Sequence, residues 1–138
     1  MKVSQRLLEA TKEIWNEYYN HPFTNGIADG TLDIDKFRFY MIQDYLYLID
    51  YARVFAIGVA KAGDIDTMRR YAHSLDAIFN GEMDIHRGYM KRLGITEEEV
   101  EGAKMSLDNK SYLSYMLCLL LMAFHYYLQS AQLQKLRK

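Results

Sequence analysis

A single proline and a single cysteine, Pro22 and Cys118, stand in 138 residues. One cysteine excludes an internal disulfide and a cysteine-based zinc site, and it fits a reducing cytoplasm. Scarce proline, with almost no alternating apolar and polar pattern, leaves long helices as the main element and points to an all-α fold. A dominant charge is missing as well: 17 basic and 18 acidic side chains are spread along the chain, for a net charge of −1. That balance carries no electrostatic footprint for nucleic acid and speaks against a DNA-binding regulator. No apolar run reaches the roughly 20 residues of a membrane span. The longest, LCLLLMAFHYYL at 117–128, is read as a buried helix. The start, MKVSQRLLEATKEIW, shows no apolar export core and no small-residue cleavage site, so the expected location is cytoplasmic.

What is present reads as one helical domain of 138 residues, without internal repeats or linkers. A first helix is expected over 3–19, with Val3, Leu7, Leu8, Thr11, Ile14, Trp15 and Tyr18 as its apolar stripe, ended by His21-Pro22. The turn formers of HPFTNGIADGTLD, 21–33, predict an ordered loop. Asp33 is the expected N-cap of a second helix running to Ala62, and a third follows over 65–92, closed by Gly94. Thr96 and Glu99 have the spacing of a capping box, which starts a short helix. Asp108-Asn109 is the expected cap of a last helix over 110–136.

The polar groups on apolar faces carry the functional question. In FYMIQDYLYLIDYAR, 39–53, a helical wheel aligns Phe37, Tyr40, Asp44, Tyr47, Tyr51, Phe55 and Gly58, with Asp44 as the only charge on the stripe. Asp50 and Arg53 point elsewhere. Two readings of Asp44 follow: a carboxylate satisfied by tyrosine hydroxyls or a backbone amide, or the floor of an aromatic-walled pocket for a flat ligand. In the third helix Leu75, Phe79, Tyr89 and Leu93 lie on the apolar side with Glu82 and His86, whose i, i+4 spacing lets them hydrogen-bond to each other. A di-metal site would need a second histidine at matching helical spacing, which is missing, so no metal is expected. His21 reads as a loop residue, His125 as a core residue, and Cys118 as a small buried hydrophobe with no base beside it.

The motifs HPF, ADGTL, FRFYMIQDYLYLIDYARVFAIGVAKA, the Glu82 and His86 pair and SYLSYM at 111–116 occur in fixed order. Together they resemble the thiaminase II (TenA) family over about 3–116. The resemblance implies a haem-oxygenase-like helical bundle without haem, usually a homotetramer. It also implies hydrolysis of thiamin or of aminomethyl-aminopyrimidine to the hydroxymethyl pyrimidine, with no metal and no organic cofactor. Asp44 matches the family's aspartate that binds the aminopyrimidine edge and assists ring protonation, Tyr47 the stacking aromatic, and Tyr112 a pocket hydroxyl. Tyr51 and His86 fall at motif positions near the site.

From about Leu117 the sequence departs from that pattern. The family's nucleophilic cysteine and late catalytic glutamate have no counterpart, and Cys118 follows Tyr112 too closely to replace the former. The segment 117–138 therefore reads as a divergent C-terminal helix, of the kind a frameshift, an early stop or a truncation produces. Apolar faces left uncovered by it would drive self-association. Two functions stand at this point: an aminopyrimidine-salvage hydrolase represented by its N-terminal half, and a non-catalytic pyrimidine-binding or oligomeric helical scaffold.

Overall fold

The computed structural model describes residues 1–135, with side chains through Phe124; the core role expected for His125 and the helix end expected at Leu136 lie outside the described residues. Among the described residues all regular structure is helical: α1 (Val3–Ala10), α2 (Lys12–Tyr19), α3 (Pro22–Asp29), α4 (Ile34–Lys61), α5 (Ile65–Ala77), α6 (Met83–Arg92), α7 (Glu97–Gly102) and α8 (Leu107–Lys135). A π-helical turn, Ile78–Glu82, joins α5 to α6. The chain divides into two compact units, residues 1–37 and the remainder from Arg38.

In the first unit the single helix expected over 3–19 is broken at Thr11, whose hydroxyl donates to the Leu7 carbonyl at 2.8 Å. Such back-bonding from a threonine to the preceding turn bends a helix. Residues 21–33, expected as a loop, contain α3 instead. His21 caps it by accepting the Phe23 amide on Nδ1, and Pro22 takes the first helical position, where a missing N–H costs nothing. Gly30 ends α3 in the left-handed conformation at φ 77°. Gly26, inside α3, serves a different purpose: an added Cβ would stand 3.2 Å from the backbone of Leu32.

The second unit is organised by α4. Its inward line, Leu48 and Ala52, packs with Ile78 and Met83 into the core, and Tyr45, Tyr47, Ile49, Tyr51, Phe55 and Leu75 lie against that core. Burial of the Leu48, Ile78 and Met83 side chains supplies about 1.5–3 kcal/mol each. The third helix has its expected start and end, with Asp64 accepting the Thr67 amide at 2.8 Å and Gly94 closing the run at φ 65°. Its register differs from the expectation. The π-helical turn admits one extra residue, so Ile78 is buried and Phe79, expected inside, is 46% exposed.

Arg38, at the start of α4, donates to the carbonyl of Leu93 and pairs with Glu99 at 2.8 Å. The Thr96 and Glu99 capping box forms as expected. The last helix begins at Leu107, earlier than Asp108-Asn109 suggested, because Ser106 Oγ accepts the Asn109 amide. On α8 Leu113 is buried and Met116, Leu117 and Leu120 are half-buried, a helical line facing the unit. Cys118, expected to be buried, is exposed together with Leu119, Leu121 and Met122 on the other side. Apolar residues occupy both faces of this helix, so composition alone could not say which one packs.

Candidate functional site

α4 is long enough to carry the whole Asp44 stripe, and its period sets Tyr40, Asp44, Tyr47 and Tyr51 one above another. The Tyr40 hydroxyl donates to Asp44 Oδ2 at 2.9 Å. From α6, His86 Nε2 reaches the same oxygen at 2.8 Å. The Asp44 carboxyl is thus partnered by a tyrosine hydroxyl, as the first of its two readings has it, and by a group from another helix, and its side chain remains 25% exposed.

His86 and Glu82 do meet at i, i+4, but through the main chain, with His86 Nδ1 2.8 Å from the Glu82 carbonyl oxygen. Asp50 and Arg53 pair with each other, as their separation from the Asp44 stripe requires.

Next to Asp44 the rings of Tyr47 and Tyr51 are stacked at 5.0 Å, and Tyr112 from α8 lies 6.0 Å from Tyr47. Phe55 meets Tyr51 edge-on at 4.8 Å. Burial pushes the Tyr47 phenol up, and the neighbouring Tyr51, Tyr112, Asp44 and Glu82 add to the rise because they repel a phenolate. The Tyr51 phenol is raised for the same leading reason, then by Tyr112 and Glu82. Both remain neutral hydroxyls able to donate a hydrogen bond, beside a ring wall suited to a planar ligand. Asp44, Tyr47, Tyr51, His86 and Tyr112 are therefore brought to one surface by three helices. Glu82, exposed on the π-helical turn, bonds to this cluster through its main-chain carbonyl.

Sequence reasoning missed Gln43, the neighbour of Asp44. It is 8% exposed, donates through Nε2 to the Lys104 carbonyl at 3.0 Å and accepts the Ser106 amide on Oε1 at 2.7 Å. Asn109 donates to the Gln43 carbonyl at 2.9 Å. This clamp fixes the start of α8 against α4, one helical turn before Tyr112. The signal was a buried amide side chain inside an apolar helix, which has to find partners.

The chain's one thiol, Cys118, lies on α8 with Sγ 3.8 Å from Met122 Sδ, and no hydrogen bond or ion pair joins it to the Asp44 cluster. Among the described residues no cluster of three or more histidine, cysteine or acidic side chains could hold a metal ion. No helix among them is long and apolar enough to cross a membrane. A cavity of about 720 Å³ lies elsewhere, lined by Leu46, Ile49, Met90, Ile95 and Val100.

The sequence profile described as the TENA/THI-4/PQQC family matches residues 8–123. The chain is 51% identical over 117 residues to a Helicobacter pylori protein named aminopyrimidine aminohydrolase, covering 85% of this chain and 54% of that protein. A Halalkalibacterium halodurans protein of the same name is 50% identical over 85% of this chain and 52% of its own length. Among solved structures, a TenA homologue from Pyrococcus horikoshii OT3 superposes with a TM-score of 0.81 at 26% identity, covering 88% of this chain and 56% of that one. A TenA family transcription regulator from Silicibacter sp. TM1040 gives 0.80 at 27% identity, over 87% of this chain and 53% of its own. The chain thus spans about half the length of the curated relatives it matches. An all-α architecture of the haem-oxygenase-like TenA type, matched over more than four-fifths of its length, places this chain in the TENA/THI-4/PQQC family.

Proposed function

We propose that this chain recognises a flat aminopyrimidine and belongs to the hydrolytic salvage of thiamin breakdown products. The substrate is aminomethyl-aminopyrimidine or thiamin, and the product is the hydroxymethyl pyrimidine. The observation that carries the reading is the Asp44 carboxyl, tied to Tyr40 and His86, beside the stacked Tyr47 and Tyr51 rings. A carboxyl oxygen of Asp44 accepts from the exocyclic amine of an aminopyrimidine, while Tyr47 offers its ring face and Tyr112 a hydroxyl. The names of the Helicobacter and Halalkalibacterium relatives support the same substrate class.

In this reading the chain supplies the recognition half of the reaction. Covalent attack on the pyrimidine needs a thiolate held against the ring. Cys118 is exposed on α8, with its sulfur 3.8 Å from Met122 Sδ. We further propose that the chain self-associates, because Tyr115, Leu119, Leu121 and Met122 leave an apolar stretch of α8 exposed.

Calorimetry with hydroxymethyl aminopyrimidine tests the reading. Binding should weaken about tenfold to hundredfold in Asp44→Ala, the value of a hydrogen bond to a charged group. Ammonia release from aminomethyl-aminopyrimidine, measured in parallel, reads turnover. An absence of binding by the parent chain would leave the helical scaffold as the function.

A further inference from the structure

The hydrogen bonds around His86 constrain where a proton must sit. Its Nδ1 lies 2.8 Å from the Glu82 carbonyl oxygen, which can only accept, so Nδ1 carries a hydrogen. In a neutral imidazole Nε2 is then a bare lone pair. That lone pair would face Asp44 Oδ2, another acceptor, at 2.8 Å. Two acceptors do not approach to this distance without a hydrogen between them. The contact therefore contains one proton more than a carboxylate and a neutral imidazole bring, placed on Nε2 or on Oδ2. The same oxygen also accepts the Tyr40 hydroxyl at 2.9 Å.

We propose that His86 is a positioning residue that grips Asp44 through this shared proton and so presents the carboxyl to the ligand in one orientation. With Oδ2 taken by Tyr40 and His86, Oδ1 is the carboxyl oxygen that accepts no hydrogen bond among the described residues. It is the atom left to receive an N–H from an exocyclic amine, and holding it still avoids the ordering cost that a rotating carboxyl imposes on binding. The His86 side chain is 13% exposed and both its ring nitrogens are engaged, so it acts on the ligand through Asp44. The π-helical turn ends at Glu82, the residue whose carbonyl sets the tautomer. The ligand arm of this proposal rests on the aminopyrimidine reading given above; the proton arm does not.

Two measurements on the full chain test it. Long-range proton–nitrogen NMR of the labelled chain at neutral pH should show His86 Nδ1 protonated and Nε2 bonded to or sharing a proton. In Asp44→Asn, whose amide can donate to Nε2, the ring should take the neutral Nδ1–H form. A His86 ring that is neutral and protonated on Nε2, in the parent or in Asp44→Asn, overturns the shared proton. In calorimetry with hydroxymethyl aminopyrimidine, His86→Gln, which keeps a donor towards Oδ2, should bind within about threefold of the parent. His86→Phe should lose about tenfold or more. Equal binding by both variants removes the positioning role. A parent chain that does not bind overturns the aminopyrimidine reading, and the NMR result then decides the shared proton by itself.

Discussion

Replacing Gln43 by alanine should loosen the attachment of α8 to α4 by an amount that follows from its hydrogen bonds. The substitution deletes the bond to the Lys104 carbonyl at 3.0 Å and the bond from the Ser106 amide at 2.7 Å. Each contributes about 1 kcal/mol net, and a partner left buried without a replacement costs about 1 kcal/mol more. At 8% exposure little water reaches the site to compensate, so the expected loss is about 2–4 kcal/mol. For a chain of this size that corresponds to a fall in Tm of about 6–12 °C. Urea unfolding followed by circular dichroism measures it, and hydrogen exchange at the Ser106 amide reports the local opening. Asn109 bonds to the main-chain carbonyl of residue 43, so that contact survives in the variant. Binding should also weaken, because Tyr112 sits one turn beyond Asn109. A variant within 0.5 kcal/mol of the parent, about the spread of a neutral surface change, would refute the clamp.

Two further substitutions probe the frame around the site. In Gly58→Ala the new Cβ would stand 2.5 Å from Tyr71 Cδ1, so destabilisation of about 1–3 kcal/mol is expected by urea titration. In a Tyr71→Ala background the same change should become neutral or stabilising, since alanine is the better helix former. The Glu99 carboxyl is held below its usual range, first by the Thr96 amide and then by Arg38. A depressed carboxyl contributes stability above its unfolded pKa, and that contribution is lost as pH falls through the folded value. Glu99→Gln keeps the cap acceptor without titrating, so its stability should depend less on pH below about 4.3 than the parent's. Parallel acid limbs in the two urea series would contradict this.

How far the fold was legible depends on the range of the interaction concerned. Asp33, Thr96 with Glu99, and Gly94 were readable because a cap bonds to residues only two to four positions away. α3 was misread as a loop because turn-forming residues also suit helix ends; His21 and Gly30 are its two caps and Pro22 its first residue. The Asp44 stripe came from a single period along α4. The partner of Asp44 on α6 did not, for 42 residues separate it from His86.

By itself, then, the amino-acid order determined an all-helical chain, both ends of α4, the start of α5, the end of α6 and the start of α7, and an aromatic stripe with one carboxyl in it. These follow from bonds and periodicities internal to each segment. Only the tertiary structure decided which face of α8 packs, how the π-helical turn moves Phe79 outward, and where Gln43 finds its partners 61 and 63 residues away. It also decided that His86 and Asp44 meet across a shared hydrogen bond. Such contacts depend on how separate helices are set against one another, and no repeat within a single helix records that placement.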